Sequence, residues 1–164
     1  MQKAQNTHKQ KSKKSAAKKF SGGLANKDPQ VVALHTATHL LNQALKQILG
    51  KDIKQAGSNI TKKRLRFDFT FPRKLTNKEL KQIEELVNEK IAANLLVIKK
   101  TMSFKDAIEI GAEAEFKQRY PDKVKVYFIG DPKKDKNFSK EICGGPHVVF
   151  TGKLGKFRIK KEES

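Results

Sequence analysis

Among 164 residues there is one cysteine, no tryptophan and only two tyrosines. A lone cysteine excludes an intramolecular disulfide, so no covalent staple holds the fold and the thiol needs another reason to be present. No apolar run approaches the ~18 residues of a spanning helix, so nothing in the sequence reads as membrane-crossing. The basic N-terminus leads into no apolar core, which excludes a secretory signal. It also has neither the arginines nor the apolar stripe of an organellar transit peptide. The expectation is a soluble, cytoplasmic protein. Acidic residues are scarce as well: 17 Asp and Glu face 36 Lys and Arg, for a net charge of +19. Such an excess points to a polyanionic partner, nucleic acid first and an anionic membrane surface second.

The length suits one compact domain with a core, and is short for two. Residues 1–27 hold eight lysines and no acidic residue, with only Phe20 and Leu24 as large apolar side chains after Met1. That composition predicts a flexible basic arm, either a solvated tail or a phosphate-contacting one. Asp28-Pro29 then opens a helix as N-cap and first residue. Its apolar stripe runs through residues 31, 34, 37, 41, 45 and 48, and Gly50 stops it. Leu65, Phe67, Phe69 and Phe71 alternate with polar residues in a half-buried strand. Thr76 and Glu79 form a capping box for a second helix, with Leu80, Ile83, Val87 and Ile91 facing the core. Further strands are expected at Leu95–Thr101, Lys123–Ile129, Val148–Phe150 and Phe157–Lys160. Short helices are expected at Ser103–Ile110 and Ala112–Arg119, and a polar loop at Asp131–Asn137. Without a regular βαβ rhythm, the class is α+β: one domain with a mixed or antiparallel sheet and packed helices.

Against that background, four residues stand out. His35 and His39, in LHTATHLL, lie one helical turn apart and project from one face. More than a hundred residues later, CGGPH supplies Cys143 and His147 around a Gly-Gly-Pro turn. One thiolate and three imidazoles suit tetrahedral Zn²⁺ better than Mg²⁺ or Ca²⁺. The competing readings are a buried free thiol beside unrelated histidines, and a Cys143–His147 nucleophile–base pair. The second leaves His35 and His39 unexplained.

The segments HTATHLL, QAGS, RLRFDF, LVNEKI and CGGPHVVFTGKLGKFRI together resemble the editing domain of alanyl-tRNA synthetase. They are similar also to free-standing alanyl-tRNA editing proteins and, more distantly, to the threonyl-tRNA synthetase editing domain. The likeness runs in motif order from about Phe20 to the end, and no segment resembles an aminoacylation domain. The resemblance implies a zinc-containing cleft over residues 28–164 and the zinc ligands His35, His39, Cys143 and His147. It implies Thr38 and Gln55 as catalytic-pocket residues, with Gly57 and Ser58 on the substrate side. The activity implied is an aminoacyl-tRNA deacylase, a carboxylic ester hydrolase acting on serine or glycine misattached to alanine tRNA. Implied partners are tRNA and a separate aminoacylation subunit, with no membrane and no DNA. Thr38 has a plainer reading as a helix threonine bonded back to a carbonyl, and Gln55 as an exposed loop amide. A non-catalytic, zinc-stabilised tRNA-binding module fits the same charge and ligands. The chain departs from the family at Pro146, where threonine is usual, and at Glu113, Glu115 and Lys117, where the family is mostly apolar or glycine.

Overall fold

The computed structural model describes Leu24, residues 26–115, 119–131, Lys134 and residues 136–164. Residues 1–23 of the expected basic arm lie outside these. Helix α1 spans Pro29–Leu49; the Asp28 side chain accepts the Gln30 N–H, and Gly50 closes the helix at φ +120° with its N–H on the Lys46 carbonyl. The expected start and stop both hold. The apolar stripe is incomplete as read, because α1 is buried on more than one side. Leu40, Ala44 and Leu45 enter the main core, while the polar Thr36, Thr38, His39 and Asn42 are buried too.

Strands β1 (Gln55–Ile60) and β2 (Leu65–Phe69) form an antiparallel hairpin with a register shift between Gln55 and Gly57. Phe67, Phe69 and Phe71 pack on the main core. Helix α2 (Asn77–Ala92) has both halves of its capping box, Glu79 N–H to Thr76 Oγ1 and Thr76 N–H to Glu79 Oε2, and buries Ile83, Val87 and Ile91 against α1. The Arg73 guanidinium grips the same Glu79 and holds its carboxyl down at about 2. A carboxylate depressed in the folded state stabilises above the unfolded pKa and stops doing so as pH falls through the folded one. Acid melts should therefore show a Glu79-dependent loss between pH ~4.5 and ~2 that Glu79→Gln lacks.

A three-stranded antiparallel sheet, in the order β3–β4–β5, completes the fold: β3 (Leu96–Ser103), β4 (Lys123–Asp131) and β5 (Lys136–Ile142). Between β3 and β4 lies helix α3 (Phe104–Glu109), capped by Ser103. The class is α+β, as expected. Among the described residues, no helix is long and apolar enough to cross a membrane.

Three local expectations fail. Residues 112–115 are not helical, and 116–118 lie outside the described residues. Gly111, at φ +75°, turns the chain onto the edge of β5, where Glu113 pairs with Lys140 and Ile142 through its backbone. The expected polar loop through Asn137 gives way to β5 at Lys136, a strand whose inward positions include Ser139 and Glu141 rather than a clear apolar alternation. The tail forms no strands. Phe150 makes a single bridge to Leu96, Thr151–Leu154 is a 3-10 turn, and Phe157 and Ile159 bond to the Asn88 and Glu84 side chains of α2. Helix side chains there take the place of a partner strand.

Candidate metal centre

The two ligand pairs predicted from sequence come together. One donor atom from each of His35, His39, Cys143 and His147 lies within 4.8 Å of the others. Cys143 Sγ is 3.4 Å from His35 Nε2 and 3.4 Å from His147 Nε2. Bonds of ~2.3 Å to sulfur and ~2.1 Å to nitrogen would set a tetrahedral S···N edge near ~3.6 Å, so a zinc ion fits the cluster with little movement.

Each imidazole has something at its other nitrogen. His35 Nδ1–H donates to the Pro146 carbonyl at 3.0 Å, which leaves Nε2 for the sulfur. Because the acceptor is a backbone carbonyl, the departure from threonine at Pro146 leaves this contact intact. His147 Nδ1 is 3.1 Å from Thr36 Oγ1. His39 Nδ1 approaches Glu141 Oε2 to 3.3 Å, off the hydrogen-bond line. Glu141 is in turn held by Asn42, which also bonds Glu113; Gln43 and Lys46 bind Glu113 from the same helix. Outer-shell carboxylates and carbonyls of this kind orient metal-binding histidines.

Burial sets the charge states. It lowers all three histidines, His39 to about 3, with His35 next to His39 adding to the effect. The imidazoles are therefore neutral near pH 7, as ligands must be. Burial also pushes the Cys143 thiol up to about 12 and Glu141 up to about 8. A cation in the cluster reverses the bias on the thiol. Metal uptake must displace the Cys143 proton, so zinc affinity should strengthen as pH rises from 6 to 8. Chelator competition across that range checks it, and a flat profile would speak against a thiolate ligand.

The ligand loop is fixed by sequence chemistry. Gly145 sits at φ +67°, and a Cβ there would collide with the Tyr127 hydroxyl, while the Tyr127 ring packs edge-on against His147. The Leu24 N–H caps the Gly145 carbonyl at 2.8 Å. Gly145→Ala should cost more than ~1 kcal/mol in a thermal melt and lower the metal content along with it.

Beside the cluster opens a cavity of about 500 Å³ whose wall includes His35, His39, Cys143, Thr38, Gln55 and Ser58. Thr38 is 4% exposed and donates its hydroxyl to the Leu34 carbonyl at 3.0 Å, the back-bonded arrangement open to any helix threonine. Among the described residues, no group donates to its oxygen. Gly57 lies outside this wall; it faces Asp68 across the hairpin, with room for a Cβ only 3.1 Å from Asp68 Oδ2. Sequence reasoning missed Thr36, Glu141, Asn42 and the anchoring role of Glu113. Only the fold places these common polar residues beside the histidines.

Residues 124–164 match the model of the threonyl and alanyl tRNA synthetase second additional domain. That stretch holds β4 from Val124 onward, β5 and the Cys143–His147 loop. The chain is also 51% identical over 157 residues to the alanine–tRNA ligase of Treponema denticola, covering 96% of this chain and 25% of that protein. With the Treponema pallidum enzyme the identity is 52% over 149 residues, 91% of this chain and 24% of the relative. Against alanine–tRNA ligase 1 of Lachnoclostridium phytofermentans it is 48% over 128 residues, 78% and 14%. The chain spans about a quarter or less of these relatives. It is thus a relative of the alanyl-tRNA synthetase family, corresponding to a segment of those proteins, and the resemblance read from its motifs is borne out.

Proposed function

We propose that residues 28–164 form an aminoacyl-tRNA editing domain that hydrolyses serine or glycine esters of alanine tRNA, with Zn²⁺ held by His35, His39, Cys143 and His147. The observation that carries this reading is the shared cavity, which Thr38, Gln55 and Ser58 line together with three of the four candidate ligands. A zinc ion bound there would polarise an ester carbonyl or fix the substrate amine. The chain's own residues do the rest. An aminoacyl ester is already activated, so orientation and a placed water supply most of what hydrolysis needs. Thr38 Oγ1, with its proton committed to Leu34, is an acceptor for the serine hydroxyl. A hydrogen-bonding wall can discriminate that hydroxyl where a small apolar pocket could not. Lys51 and Lys54 also line the cavity, a cationic border suited to the phosphates of a tRNA end.

One observation favours a second reading. Four protein donors close a tetrahedral zinc site, the pattern of structural rather than catalytic zinc. A zinc-stabilised tRNA-binding module working beside a separate aminoacylating subunit follows from that pattern.

Thr38→Val tests the selective role, since it keeps the volume and removes the acceptor. Serine release from mischarged alanine tRNA should slow by the equivalent of ~1–3 kcal/mol, and glycine release by less. Equal slowing of both substrates would assign Thr38 to the helix alone.

A further inference from the structure

Thr36 lies between the two helical histidines and contributes nothing to the cavity wall, yet it is completely buried and its hydroxyl oxygen touches three groups. Oγ1 is 3.2 Å from the Val32 carbonyl, 3.1 Å from the Val148 N–H and 3.1 Å from His147 Nδ1. A hydroxyl has one proton and two lone pairs. The Val32 carbonyl can only accept and the Val148 N–H can only donate, so the contact with His147 is the one left to assign. With the hydroxyl proton on Val32, both lone pairs are used, one by Val148 N–H and one by His147 Nδ1–H. The reverse assignment would leave two acceptor oxygens facing each other at 3.2 Å.

We propose that Thr36 is a positioning residue that holds His147 with Nδ1 protonated and Nε2 presented to the metal, and at the same time ties the Cys143–His147 loop to α1. The inference rests on the zinc reading above and adds a residue to it. Packing alone cannot choose the nitrogen. The His147 ring stacks on His35 at 4.2 Å between centroids and meets the Tyr127 ring edge-on at 4.4 Å, and an imidazole turned over by half a rotation fills nearly the same space. Only a directional partner distinguishes the two orientations. His35 has such a partner in the Pro146 carbonyl, and both rings consequently aim Nε2 at Cys143 Sγ from 3.4 Å. Thr36 does for the loop histidine what Pro146 does for the helix histidine. The two contacts cross: α1 orients a ligand on the loop, and the loop orients a ligand on α1.

The test compares the full chain with Thr36→Val and Thr36→Ser. Chelator competition should show zinc bound 10- to 100-fold more weakly by Thr36→Val, the scale of outer-shell losses, and nearly wild-type affinity for Thr36→Ser. Nitrogen-15 spectra of the zinc-loaded wild type should show His147 protonated at Nδ1 and bound through Nε2, and this reading stands even if Thr36→Val fails to fold. Wild-type zinc affinity in a folded Thr36→Val, or metal on His147 Nδ1, overturns the inference while the metal site survives. A wild type that takes up no zinc overturns both.

Discussion

Wild-type protein should carry about one zinc per chain, and Cys143→Ala should carry close to none. Cys143 is the sole thiol, and two of the three candidate imidazoles face its sulfur at 3.4 Å. Its removal deletes the only anionic donor of the set and leaves three neutral nitrogens in a pocket that penalises charge. His39→Ala should also lose most of the metal, because His39 joins the cluster to Glu141 and through it to Asn42. Binding energy at such a site is also folding energy. Chelation should therefore lower the melting temperature of the wild type and leave that of Cys143→Ala unchanged. Elemental analysis and paired melts give the answer, and full zinc content in both variants would rule out a shared site.

Deleting residues 1–20 should weaken tRNA binding and flatten its salt dependence. The deletion removes seven lysines and no acidic residue. Each phosphate neutralised contributes roughly 0.7–0.9 to the slope of log K against log salt, so losing even three such contacts flattens it by about 2–3. Preference for mischarged over correctly charged tRNA should persist, because Thr38, Gln55 and the histidines remain. An unchanged slope in a filter-binding or anisotropy titration would make the arm a solvated tail and assign the RNA footprint to the domain.

What the sequence disclosed depended on how local the chemistry is. Both long helices could be placed from their caps, since Asp28, Gly50, Thr76 and Glu79 act within a turn of their own position. The four candidate ligands were legible for a different reason: cysteine and histidine are scarce here, and each pair has a spacing that a helix or a tight turn brings together. Strand β5 was not legible, because Ser139 and Glu141 occupy its buried positions and erase the apolar alternation. The tail misled in the opposite way. Phe157 and Ile159 alternate like a strand, but their backbone partners are the side chains of Asn88 and Glu84. The supporting shell of the site was hidden by the commonness of its members. Thr36 and Thr38 are two residues apart on one helix and both bond back to a carbonyl; only the fold shows that one reaches a histidine and the other a cavity.

The most direct measurement is release of serine from mischarged alanine tRNA by this chain in trans, with zinc supplied and then with zinc removed by a chelator. The expected result is hydrolysis of the serine ester, sparing of the correctly charged alanine ester, and loss of activity on chelation that zinc restores. Firm tRNA binding with no serine release under zinc-replete conditions would contradict it and leave a tRNA-binding module in place of an editing enzyme.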